Sequence, residues 1–225
     1  QDATVVENSS VTLLATVSDP GTQDTHTCIW DLGDGSDAVN NDCSNIAHTY
    51  RNDGLYTVTV VASDGQDQSA QGTATITVTN ALPVVLFNDA SGEEGAVVTF
   101  VATARDDGPD DVLSYTWSFG DGSDDVQTAE GTVNHTYSND GTYDVVLTVN
   151  DGTDDVVVER TATIANVLPS ISAGDDRTVT EGTEVTFTGT ATDPGDDTLT
   201  YAWDLDDDGQ FDDGDTLTVT YTYDD

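Results

Sequence analysis

The strongest constraint in this sequence is a repeat of nearly fixed length. Trp30, Trp117 and Trp203 stand 87 and 86 residues apart, and the text around them repeats at the same offset. Cys28-Ile29-Trp30-Asp31-Leu32-Gly33-Asp34-Gly35 corresponds to Tyr115-Thr116-Trp117-Ser118-Phe119-Gly120-Asp121-Gly122, and Tyr201-Ala202-Trp203-Asp204-Leu205-Asp206 opens a third copy. His48-Thr49-Tyr50 recurs as His135-Thr136-Tyr137 and as Tyr221-Thr222-Tyr223. A period of this length is a whole domain. Residues 1–80, 81–166 and 167–225 are therefore read as three repeats: the first lacks its opening strand, the second is complete and the third stops before its last strands. Asn80-Ala81-Leu82-Pro83 and Asn166-Val167-Leu168-Pro169 mark the joints, since proline ends a strand ladder and begins a stiff link.

Within each repeat the apolar residues alternate with period two, as a half-buried antiparallel strand requires. Tyr56, Val58, Val60 and Ala62 share one face, matched by Tyr143, Val145, Leu147 and Val149. An earlier strand repeats the pattern three times, with Val11 and Leu13, then Val98 and Phe100, then Val185 and Phe187 facing inward. Some 37 threonines fit strands, because β-branched side chains suit a pleated surface and the hydroxyl suits its wet side. No segment shows a helical period. About seven short strands per repeat, a tryptophan on the third and Asp-Gly turns predict an all-β chain of two-sheet sandwiches, each with its own core.

The signatures Trp-Asp-x-Gly-Asp-Gly, His-x-Tyr and Gly-x-Tyr-x-Val-x-Leu-x-Val stand here in order, and by them the chain resembles the PKD (polycystic kidney disease) domain family over essentially its whole length. The resemblance implies tandem immunoglobulin-like β-sandwich domains, beads on a string. It also implies spacers and adhesion elements on cell surfaces, or accessory domains of secreted proteases and polysaccharide hydrolases.

Charge narrows the setting. The chain carries 44 acidic residues against four arginines and no lysine, for a net charge of −40. Such a surface repels nucleic acid and anionic membranes, and it repels itself unless cations are plentiful. High salt and bound calcium are both consistent with an acid set made of 37 Asp and seven Glu. The sharpest local motif runs from Asp204 to Asp215. It places Asp204, Asp206, Asp208, Asp212 and Asp215 at calcium-loop positions one, three, five, nine and twelve, with Gly209 at the sharp turn. Clustered carboxylates that would repel one another become a cage for a hard cation, so Ca2+ is the expected cofactor; a solvated acidic hairpin is the competing reading. A second, inter-domain set is expected where Asp34, Asp37 and Asp53 would face the next repeat's Asp106, Asp107 and Asp111. The aspartates and glycines of Gly33-Asp34-Gly35 and Gly120-Asp121-Gly122 are read chiefly as tight turns. His48 and His135 are read with Tyr50 and Tyr137 as corner packing, the tyrosine bonding back to the chain.

Cys28 and Cys43 lie in one repeat, and zinc would want closer spacing and more Cys or His ligands than the three histidines offer, which favours a disulfide and an oxidising, extracellular compartment. No apolar run approaches the roughly 20 residues of a membrane span. No Ser/His/Asp order, zinc-binding helix motif or phosphate loop is present, so no catalysis is expected. Two functions remain. One is a structural or adhesion array whose partners are further repeats, neighbouring subunits or cell-surface glycans. The other is a set of spacers or polysaccharide- or collagen-binding modules on a secreted hydrolase, which a solvent-facing aromatic row would favour; only Phe87 and Phe211 are expected outside the inward register. The core of the third repeat needs further strands, supplied either by residues beyond this segment or by another chain.

Overall fold

Residues 1–20, 24–66 and 71–224 are described by a computed structural model in which every regular element is a strand. The first repeat contains β1 (Ala3–Val6), β2 (Ser10–Leu13), β3 (Thr27–Asp31), β4 (Val39–Asn41), β5 (Ile46–Thr49), β6 (Gly54–Ser63) and β7 (Gly72–Thr79). They form a five-stranded sheet in the order β1-β7-β6-β3-β4, facing a two-stranded sheet of β2 and β5. The second repeat contains β8 (Val84–Phe87), β9 (Ala90–Glu93), β10 (Val97–Arg105), β11 (Ser114–Ser118), β12 (Val126–Thr128), β13 (Thr132–Thr136), β14 (Gly141–Asn150) and β15 (Asp155–Ala165). Its sheets run β12-β11-β14-β15-β9 and β13-β10-β8. The opening strand is thus split. β8 pairs antiparallel with β10 in one sheet, after which the chain crosses over and β9 runs parallel to β15 in the other. The first repeat has the counterpart of the second piece, β1, parallel to β7.

The third repeat contributes β16 (Ser170–Ser172), β17 (Glu184–Thr188), β18 (Thr190–Thr192) and β19 (Thr218–Thr222), joined as two two-stranded pairs, β16 with β18 and β17 with β19. Trp203 here forms only an isolated bridge to Gly214 and is half-buried, unlike Trp30 and Trp117. The expectation of a buried tryptophan on a third strand holds for the first two repeats and not for this one among the described residues. A tryptophan is covered only where two full sheets close over it.

Period-two patterning produces the cores directly. In β10 the pattern buries Val98, Phe100 and Ala102 and exposes the residues between them. These pack with Trp117, Phe119, Tyr137, Val145 and Leu147, and Trp30 takes the corresponding place among Val11, Leu13, Val58 and Ile76. Phe87 is only 1% exposed, its ring edge-on to Trp117 with centroids 5.2 Å apart. The expectation that it faces solvent fails because β8 is a strand of the sandwich and not part of the link, so its last residue points into the core. Phe211, by contrast, is 70% exposed. The tyrosine corners form in both full repeats: the Tyr50 hydroxyl donates to the Leu32 carbonyl at 3.0 Å and the Tyr137 hydroxyl to that of Phe119 at 3.1 Å. His48 and His135 brace these corners, each ring nitrogen lying on the aspartate of the Gly-Asp-Gly turn, Asp34 at 2.7 Å and Asp121 at 2.6 Å.

Cys28, fully buried on β3, is bridged to Cys43 just beyond β4, with Cα atoms 4.8 Å apart. Closing a loop with a sequence separation of 15 stabilises the first repeat by about 3 kcal/mol in the chain-entropy account. Reduction, or the double replacement Cys28→Ser and Cys43→Ser, is therefore expected to lower the urea midpoint of the first repeat and leave the second unchanged. Tryptophan fluorescence of variants keeping only Trp30 or only Trp117 reads the two separately.

Candidate metal centres

Both joints between repeats are built from the same parts. Glu7 follows β1 and turns its carboxylate inward until it is 1% exposed; Glu94 follows β9 and does the same. Burying a carboxylate is tolerable only where donors replace water. Glu7 accepts the Asp53 amide at 3.1 Å and, from the link, the Ala81 amide at 2.7 Å. Glu94 accepts the Asp140 amide at 2.8 Å and the Val167 amide at 2.7 Å. Each glutamate therefore pins the end of its own module to the chain entering the next.

Onto each glutamate the next module lowers an acidic loop. The loop between β10 and β11 brings Asp106 and Asp111 to Glu7, and the loop after β18 brings Asp193 and Asp197 to Glu94. In each trio one oxygen from every residue lies within 4.8 Å of the others. Close approach depends on a glycine. A Cβ at Gly108 would overlap Asp111 Oδ2 and stand 2.7 Å from Glu7 Oε2, and one at Gly195 would stand 2.7 Å from Glu94 Oε2. The amides of these glycines fix the first aspartate of each loop, Gly108 to Asp106 at 2.7 Å and Gly195 to Asp193 at 2.8 Å. The second oxygens fare differently. Asp106 Oδ2, Asp111 Oδ2 and Asp193 Oδ2 are buried with no hydrogen-bond partner.

The asparagines of the links complete the surroundings. Asn80 donates to Asp151 Oδ2 at 2.9 Å and Asp154 Oδ2 at 3.0 Å, on the turn between β14 and β15. Asn166, with its NH2 turned inward, reaches Glu94 Oε1 at 2.9 Å and Asp197 Oδ2 at 3.0 Å. Turned over, it would offer its oxygen to the same space. Outside each trio the joints differ: an exposed Arg51–Asp110 pair at 3.8 Å crosses the first, and the Asp196 amide donates to the Ser138 carbonyl at 2.8 Å across the second.

Electrostatics shows what these trios lack. Burial pushes the Glu7 carboxyl up, against the two amides that lower it, and the Asp111 and Asp106 carboxylates push it further up. Burial and the neighbouring aspartates also raise Asp111, and burial with Glu94 and Asp193 raises Asp197. These groups want either a proton or a cation. In the first trio Asp106 and Asp111 are half-buried beside Glu7 and short of donors, which fits a hard divalent ion that takes six to eight oxygens, with water completing its shell; in the second Asp197 is exposed and would add an open side to such a site. Asp151 behaves oppositely. Burial alone would raise it, but the Asp154 amide, Asn80 and the Thr153 amide outweigh burial and hold it below the usual carboxylate range.

Of the inter-domain residues expected from sequence, Asp106 lies in a trio. Asp107 is exposed and pairs with Arg105 at 3.2 Å. Asp34 is held by Ser36 and His48, and Asp37 is exposed outside the trios. Asp53 meets the joint through its amide on Glu7 and its charge beside Asp111. In the third repeat Asp204, Asp206 and Asp208 draw together, and the Gly209 amide donates to Asp204 Oδ2 at 3.0 Å with Gly209 at φ +83°. Asp212 and Asp215 stay outside this group; Asp213 instead takes the Leu205 amide at 2.6 Å. Glu7 and Glu94 escaped the sequence reading, although a signal existed. Glu7, Glu94 and Glu181 keep the 87-residue period, and they are three of only seven glutamates.

The PKD domain family matches the chain over residues 1–79, 80–165 and 166–225. The chain belongs to the PKD domain family. Human polycystin-1 is similar to it at 32% identity over 181 residues, 80% of this chain and 4% of that protein. A microbial collagenase of Vibrio alginolyticus is 30% identical over 119 residues, 53% of this chain and 14% of the collagenase. These PKD modules thus span a small share of either relative. Among solved structures, Drosophila N-cadherin EC1-3 superposes with a TM-score of 0.35 at 17% identity, covering 74% of this chain and 64% of that one. Drosophila OTK extracellular domains 3-5 give 0.31 at 13% identity, covering 100% and 86%.

The raised carboxyls set a direction with pH. A group whose folded pKa lies above its unfolded value favours the folded state below the unfolded pKa, and that stability is lost as pH rises through the folded one. Glu7, Asp111 and Asp197 therefore oppose the folded, docked state at neutral pH, and a cation competes there with fewer protons. A divalent cation held by these trios is expected to raise the melting temperature, and by more at about pH 7 than at about pH 4. Calorimetry at several pH values with and without chelator checks this, and equal shifts throughout would count against it.

Proposed function

We propose that this chain is a non-catalytic structural and adhesion segment of an extracellular protein, three PKD modules arrayed as a spacer whose joints are stiffened by calcium. One observation carries the reading: the same buried glutamate meets the same pair of loop aspartates at both joints, where self-repulsion would otherwise swing the modules apart. Carboxylate oxygens short of donors suit calcium better than magnesium, which demands near-ideal octahedral geometry and sheds water reluctantly. Asp204, Asp206 and Asp208 are a further calcium position, on the acidic loop of the third repeat. The Cys28–Cys43 bridge supports an oxidising compartment. Partners on this reading are further repeats or neighbouring subunits, with cell-surface glycans as ligands. A second reading, accessory modules on a secreted hydrolase, is favoured by the likeness to the Vibrio collagenase.

Calcium at a hundredfold excess over Kd stabilises by about 2.7 kcal/mol per occupied site. Thermal melts and small-angle scattering in calcium and in EDTA, at moderate salt, are expected to show a higher melting temperature and a narrower spread of lengths with the ion. A melting temperature and scattering curve unchanged by EDTA would sink the calcium reading.

A further inference from the structure

Resting on the calcium reading of the joints, we infer that Glu7 and Glu94 are shared ligands, each closing the next module's ion site, so that ion binding itself sets the angle between modules. The carboxylates of each trio come from two modules. Asp106 and Asp111 belong to the second module and Asp193 and Asp197 to the third, whereas Glu7 and Glu94 come from the modules before them. An ion held by aspartates of one loop alone would neutralise that loop and leave the joint free. An ion that also binds the glutamate cannot be held fully unless the two modules are docked.

Three features go beyond the clustering of acids. The glutamates are buried to 1% exposure and aimed into the trio, an orientation that a carboxylate serving only as a surface charge would not adopt. Asp106 Oδ2 and Asp111 Oδ2 in the first joint, and Asp193 Oδ2 in the second, are buried oxygens without a donor on residues that cluster with the glutamate. Gly108 and Gly195 leave the space in which the glutamate sits, since a Cβ at either would stand 2.7 Å from its Oε2. The glutamate is also wired backward. Through the Asp53 amide Glu7 grips the turn before β6 of its own module, and through the Ala81 amide it grips the link; Glu94 does the same with Asp140 and Val167. The ion is thereby connected to the frame of the preceding module and not to a loose tail.

The test uses the whole 225-residue chain, with calcium uptake followed by calorimetric titration and the tumbling of each module followed by 15N relaxation. In calcium the three modules are expected to share one long correlation time. Glu7→Gln, which keeps the size of the side chain and an oxygen for a main-chain amide, is expected to weaken one calcium site on the order of tenfold or more. It should shorten the correlation time of the first module alone, while the second and third stay coupled. Glu94→Gln should instead release the third module. Gly195→Ala removes no carboxylate from the third module's loop yet crowds Glu94, whose Oε2 a Cβ there would meet at 2.7 Å, and is expected to free the third module in the same way even if Glu94→Gln disturbs its fold. Asp37→Asn, at an exposed acid outside the trios, should change neither quantity. If Glu94→Gln and Gly195→Ala leave the second and third modules tumbling together in calcium, the sharing is overturned while calcium binding at the loops stands. If the unaltered chain takes up no calcium at the joints, the reading beneath it falls as well.

Discussion

Like-charge repulsion is the constraint around which this molecule is arranged, because a chain of net charge −40 must fold while keeping its carboxylates either in water or matched by donors. Several aspartates sit on turns, where the amide two residues on caps the carboxylate, as at Asp34 with Ser36, Asp121 with Ser123 and Asp208 with Gln210. Among the described residues the buried acids are Glu7, Glu94 and Asp151, and each accepts at least two main-chain amides. Where donors run out, at the second oxygens of the loop aspartates, the chain has placed two modules face to face. On the proposed reading, a bound cation would turn that meeting from repulsive to cohesive.

The repeated scaffold meets this constraint in the same way in its two full modules. Apolar alternation closes two sheets over a tryptophan, and the tyrosine hydroxyl ties the end of the third strand to the corner before the sixth. Burial and the Asp34 carboxylate push the Tyr50 phenol up to about 12, which keeps it neutral and able to donate. The Asp34 carboxyl is lowered although burial opposes it, because Ser36 and His48 both donate to it. Histidine, aspartate, tyrosine and turn thus form one connected corner, and the same set recurs at Asp121, His135 and Tyr137. A corner fixed in this way gives the modules defined poles for the joints to bring together.

Much of the site was close to legible. The acidic loop at Asp106 to Asp111 stands out in the sequence as a partner for the preceding module, yet the residue it meets is Glu7 and not Asp34 or Asp37. Asp34 is drawn away by His48, a contact between residues 14 apart that depends on how the corner folds. Phe87 shows the same limit. Its place after the link suggests exposure, but the split of the opening strand into β8 and β9 turns its ring onto Trp117.

The sequence by itself determined the all-β class, the three-fold repeat, the inward faces of the strands, the tyrosine corners and the Cys28–Cys43 pairing. The first four follow from period-two alternation and from residues that recur at a fixed offset, both local or periodic properties of a chain, and the pairing follows from the chain having only two cysteines, both in one repeat. Only the tertiary structure decided which carboxylates meet across each joint and which of their oxygens are left without a donor. Those facts depend on distances between residues about 100 positions apart, such as Glu7 and Asp106, and on the space left by a missing Cβ at Gly108. No local pattern encodes such distances; they appear once two folded poles are set against each other.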